Sequence, residues 1–145
     1  MAIGGKEFVM DVDDFYPCLR LDLIICSPDL NTTERHKIKR VLIDTGSDFT
    51  FLPIDVIKKL NLIKTGTTKK IEGFYGKKLI VMFYSGRIII EDVLDELVEI
   101  GGIDSEPLIG MDLINKLHIL INAPNCTFEI ANRNNYKPPN GWDVR

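Results

Sequence analysis

An apolar run, Val41-Leu42-Ile43, drives straight into Asp44-Thr45-Gly46 and resumes past Ser47-Asp48 as Phe49-Thr50-Phe51-Leu52. Short apolar runs bounded by turn residues read as buried strands. The polar link between these two leaves room only for a tight loop. A carboxylate at the end of a buried strand is costly to turn inward without a partner, so Asp44 is expected to point out of the core edge, toward a ligand. Gly46 permits close backbone approach and unusual φ/ψ. Asp-x-Gly alone marks many ordinary turns; the buried flanks set this loop apart. A second element follows downstream in Pro107-Leu108-Ile109-Gly110-Met111-Asp112-Leu113-Ile114, an apolar pair ending on Gly before a short helical stretch.

The chain of 145 residues is long enough to bury one core, and residues 1–145 are expected to form a single domain. A formal charge of −3 argues against nucleic acid as the main partner, and Lys69-Lys70 and Lys77-Lys78 read as solvated strand and loop positions. No apolar run is long enough to span a bilayer. Met1 to Glu7 lacks the plan of a secretory signal. Cys18, Cys26 and Cys126 are odd in number and scattered, so they read as small buried hydrophobes in a cytoplasmic protein. His36 and His118 share no ligand spacing with them, and no metal or other cofactor is expected. Asp11-Val12-Asp13-Asp14 lacks the Gly and closing Glu of a calcium loop and reads as an acidic turn.

Along the chain the pattern is mostly strand. Phe8 to Val12 and Leu19 to Ile25 alternate as strands do. Ser27 to Asn31 is turn chemistry, and the charged stretch to Arg40 is expected to be an exposed hairpin connection. Pro53 opens a helix through Leu60, with Asn61 closing it. Leu79 to Tyr84 and Arg87 to Ile90 are expected to form a hairpin about a Ser85-Gly86 turn. Asp92 to Ile100 fits strand or short helix, with strand preferred. His118 to Ile121 and Thr127 to Ile130 are the last strands, joined by a turn over residues 122–125. The tail from Asn132 to Arg145 is polar; it reads either as flexible or as docked through Tyr136 and Trp142.

The Asp44 loop and the Leu108-Ile109-Gly110 element, in this order, resemble the single-lobe, retropepsin-like aspartic peptidases. The likeness covers about residues 19–130. It implies an all-β, single-lobe acid-protease barrel with one or two short helices and an active site at a homodimer interface. The chain is too small for the two-lobed pepsin arrangement and carries Asp-Thr-Gly once, so the second carboxylate must come from another copy. The implied chemistry is aspartic-type endopeptidase activity, in which paired Asp44 carboxylates share a proton and activate one water. Thr45, Gly46 and Ser47 would support the loop, with Ser47 able to bond the outer oxygen of Asp44. Asp48 and a flap at Gly73, Phe74, Tyr75 and Gly76 would meet an extended peptide substrate, although an ordinary hairpin accounts for the flap residues equally well. Leu108, Ile109 and Gly110 would pack beside the loop. Met111 stands where some viral members carry an Arg that ties down the carboxylate matching Asp48. In retropepsins the terminal strands often interleave between subunits. The alternative is a catalytically inactive module that keeps the fold for dimerisation or peptide binding.

Overall fold

The computed structural model describes residues 3–13, 17–72 and 76–138. Among them the chain is mostly strand, arranged as an all-β fold with two short helices. The strands are β1 (Lys6–Val9), β2 (Arg20–Cys26), β3 (Arg35–Ile43), β4 (Phe51–Pro53), β5 (Ile63–Glu72), β6 (Lys78–Ile90), β7 (Leu94–Ile103), β8 (Leu108–Ile109), β9 (Leu117–Asn122) and β10 (Thr127–Asn132). Seven of them form one sheet in the order β2-β3-β8-β4-β7-β6-β5, and β2 also pairs with β6. That extra pairing closes six strands into a ring, with β5 outside it. A second sheet has the order β1-β10-β9. Among the described residues no helix is long and apolar enough to cross a membrane.

Alternation drives this arrangement. In β2, Leu21, Leu23 and Ile25 face the core, while β6 sends Ile88 and Ile90 into the same cluster. Phe128 and Ile130 of β10 join it, so the small sheet packs on the large one. Full burial of such side chains contributes about 1.5–3 kcal/mol each. Helix α1 (Ile54–Lys59) begins after Pro53 and buries Ile57; Asp55 in its first turn and Lys58 and Lys59 in its last suit the helix dipole. Asn61 closes it at φ 52°, in the left-handed conformation Asn tolerates.

Two expectations need correction. The charged stretch before Arg40 is not a hairpin connection but the first part of β3, paired with β2 from Cys26↔Arg35 to Leu23↔Ile38. One face of that strand is solvated, so only Ile38 needs to be apolar. Arg40, at φ 56°, lies in a bulge where its amide donates to Asp22 Oδ1 at 3.1 Å. Nor is Ser85-Gly86 a turn. Strand β6 runs unbroken through it, with Ser85↔Glu99 and Gly86↔Val98 paired across to β7. A Cβ on Gly86 would stand 2.6 Å from Ile100 Cδ1, so that side chain would have to move to admit one. The segment 94–103 is strand, as preferred.

The tail to residue 138 turns back on its own chain. Lys137 N donates to Ile3 O at 2.8 Å, and the Tyr136 ring stacks on His118 with centroids 3.6 Å apart. Trp142 lies outside the described residues.

Candidate functional site

Strand β3 delivers Asp44, β4 carries the chain away, and β8 lies between them. Leu42 and Ile43 pair in parallel with Leu108 and Ile109, while Phe51 pairs antiparallel with Leu108. The loop therefore passes over the end of β8, and helix α2 (Met111–Ile114) follows directly. Asp44 N donates to Ile109 O at 2.9 Å, Met111 N to Ser47 O at 2.7 Å, and Asp112 N to Asp48 O at 3.2 Å. Both ends of the loop are thus tied to one segment far away in sequence, which satisfies backbone groups that a tight loop leaves unpaired.

Within the loop, Asp44 Oδ1 accepts from Gly46 N at 2.8 Å and Asp44 O from Ser47 N at 3.3 Å. This is an Asx turn, the local bond that makes Asp favourable here. Asp44 is half-buried, whereas Thr45 and Gly46 are exposed at the apex. Among the described residues Asp44 Oδ2 has no hydrogen-bond partner. The expected bond from Ser47 to Asp44 is absent: Ser47 Oγ donates to Phe49 O at 2.8 Å. The loop curls tightly enough to bring that carbonyl within reach. Asp48 is exposed, with no side-chain partner among the described residues.

Beneath the loop lies a pair that pattern reading did not single out. Thr50 is completely buried. Its hydroxyl donates to Asp112 Oδ1 at 2.7 Å and accepts from Gly110 N at 3.2 Å, while Thr50 N donates to Asp112 Oδ2 at 3.1 Å. Asp112 Oδ1 also accepts from Leu113 N at 2.9 Å. One carboxylate therefore bonds an amide in the first turn of α2 and clamps the strand leaving the Asp44 loop. The available signal was an Asp two residues after Gly110, in the first turn of a helix.

Gly110 admits no substitute in this backbone. A Cβ there would lie 2.2 Å from Phe49 O. Leu108 and Ile109 flank the same contact, Ile109 fully buried and Leu108 half-buried. Beside the loop, Phe51, Val81 and Phe83 form a second apolar cluster, with Phe49, Ile71, Ile103 and Leu108 packed against it. It joins the strand leaving Asp44 to the underside of the β5–β6 hairpin. The Lys69 ammonium stands 5.8 Å above the Phe49 ring.

The flap residues are only partly accounted for. Gly76 is exposed at φ 70°, next to the start of β6; Gly73, Phe74 and Tyr75 lie outside the described residues. A depression of about 440 Å³ lined by Val93, Glu96, Lys116, Asn132 and Arg133 includes no residue of the Asp44 loop. Among the described residues no group of three or more His, Cys, Asp or Glu is placed to hold a metal ion. The sequence matches no protein-family model and no curated protein.

Proposed function

We propose that the chain is one half of an aspartic endopeptidase, a homodimer in which the Asp44 carboxylates of two copies meet around one water. The observation that carries this reading is the Asp44 loop itself. A carboxylate at the open end of two buried strands, braced from behind by Ile109, Met111 and Asp112, keeps one oxygen free for chemistry. Rigid positioning of that kind is what a general base requires.

Two carboxyl groups about 3 Å apart cannot both ionise, so the pair holds one proton between them. The ionised member takes a proton from water as it attacks the peptide carbonyl. The protonated member donates to the carbonyl oxygen, giving a tetrahedral diol, and proton return to the amide nitrogen lets the C–N bond break. No covalent enzyme intermediate forms. An extended substrate strand would run past Gly46 and Asp48, bonding through its backbone. Phe49, half-buried beside the loop, favours apolar side chains beside the scissile bond.

Incubation with a diverse peptide mixture from acidic to neutral pH, beside Asp44→Asn, tests the proposal. Cleavage by the wild-type chain and none by the variant is expected. Asn at this position keeps an oxygen for Gly46 N, so the variant should stay folded. Absence of cleavage by either protein would favour an inactive binding module.

A further inference from the structure

We propose that the lysines of β5, β6 and the residue before β6 bind acidic side chains flanking the scissile bond, so that the substrate is an acidic polypeptide segment. The inference deepens the peptidase reading and rests on it for the role of that segment as substrate.

Charge is sharply divided along this chain. Residues 63–82 hold five of the 18 Lys and Arg but one of the 21 Asp and Glu, so they carry +4 and the remainder −7. The five are Lys64, Lys69, Lys70, Lys77 and Lys78, all exposed. Elsewhere cations find partners, as Arg20 does in Glu106, Lys37 in Asp22, Arg40 in Asp11, Arg87 in Asp95 and Lys116 in Glu96. Among the described residues no carboxylate pairs with any of the five lysines, although Glu72 stands opposite Lys78 in the ladder. Unpaired ammonium groups crowded on one hairpin repel one another, and an anionic partner relieves that repulsion.

Lys69 brings this charge to the site. By register Lys69, Ile71, Leu79 and Val81 share one face of the hairpin, and Ile71 and Val81 belong to the apolar cluster beside the Asp44 loop. The Lys69 ammonium stands over the ring of Phe49, the first residue of the apolar run that leaves that loop. Lys70 and Lys78 lie on the opposite face with Ile80 and Met82, both exposed. Asp44 and Asp48 disfavour a carboxylate at the scissile bond itself, so the acids belong at flanking positions. The basic surface is short: the ten residues of β5 span about 33 Å, and the rest of the chain is net negative. Fields reach only about 8 Å at physiological salt. A short acidic segment therefore meets the lysines alone, whereas a bilayer or a long nucleic acid would also lie against surface that repels it.

Fluorescence anisotropy on the full Asp44→Asn chain tests this, with labelled peptides of one length whose apolar centre is flanked by glutamate, glutamine or lysine. An exposed ion pair changes affinity by about 1.5- to 5-fold, so two or three should make the glutamate peptide bind about tenfold tighter than the glutamine one. The lysine peptide should bind weakest, and the preference should shrink as salt rises. Lys69→Ala, Lys70→Ala and Lys78→Ala together should abolish it, while Lys37→Ala with Lys39→Ala on β3 should leave it unchanged. Equal binding of the three peptides, or a preference that survives the triple variant, would overturn the inference. So would binding to phosphatidylserine vesicles or to a single-stranded oligonucleotide with none to the glutamate peptide. Cleavage by the wild-type chain is scored separately. Cleavage without any charge preference leaves the peptidase and removes the acidic substrate; lysine-dependent binding without cleavage keeps the acidic ligand and removes the peptidase.

Discussion

Thr50 and Asp112, 62 residues apart in sequence, are joined by two hydrogen bonds of 2.7 and 3.1 Å that lock the strand leaving Asp44 to the start of α2. Thr50→Val keeps the shape but leaves Gly110 N and Asp112 Oδ1 short of a partner. A buried bond to a charged group is worth about 1.5–3 kcal/mol, so urea unfolding should show a loss in that range. Asp112→Ala should lose at least as much, because the bond to Leu113 N goes with it. If the proposed chemistry is right, both should also slow peptide cleavage without touching Asp44. A Thr50→Val protein as stable as wild type would refute this account of the clamp.

Gly110→Ala is the sharpest test of how β8 passes the loop. The new methyl group meets the backbone of Phe49, not the end of a flexible side chain, so the backbone itself must shift. Overpacking of this kind typically costs about 1–3 kcal/mol. Thermal unfolding should register that loss, and amide signals from residues 44–50 should move more than those of β9 and β10.

Glu129 should hold the N-terminal segment in place. This buried carboxylate accepts from Ile3 N at 2.9 Å and from Gly5 N at 3.2 Å through Oε2. Glu129→Ala leaves both amides without that acceptor, at a cost of about 1–3 kcal/mol for buried groups left unpaired. Hydrogen exchange should speed up first over residues 3–9. Uniform loss of protection across the whole chain would contradict a local role.

The Arg87–Asp95 pair predicts a pH effect of definite sign. Arg87 Nε and Nη2 each reach an Asp95 oxygen at 2.6 Å. Hydrogen bonds from Arg87 hold the Asp95 carboxyl below its ordinary 3.8, and the same contact raises the guanidinium further above its usual range. A depressed carboxylate stabilises the fold fully above its unfolded value and loses that contribution as pH falls through the folded one. The benefit should therefore fade only on acidification below about 4, whereas the Arg87 contribution persists until strongly alkaline pH. Both groups face solvent, so the effect is small and salt-sensitive. Carboxyl titration by NMR should find Asp95 below the other exposed aspartates, and Arg87→Met should return it upward.

What the sequence determined by itself was local. Val41 to Leu52 carries its strand–loop–strand course in consecutive residues, and Pro53 to Asn61 carries a helix with its own start and stop signals. Tertiary structure decided where pairing was non-local. Ser85-Gly86 has turn composition, yet residues on both sides find partners on β7, and those ladder bonds keep the strand straight. The Arg35 to Arg40 segment has loop composition, but β2 supplies a ladder and only one face must be apolar. The Thr50–Asp112 clamp depends on groups 62 residues apart meeting in space, which no window of neighbouring residues records. Periodicity reports which face a residue presents; only the closed ring of strands settles what lies across from it.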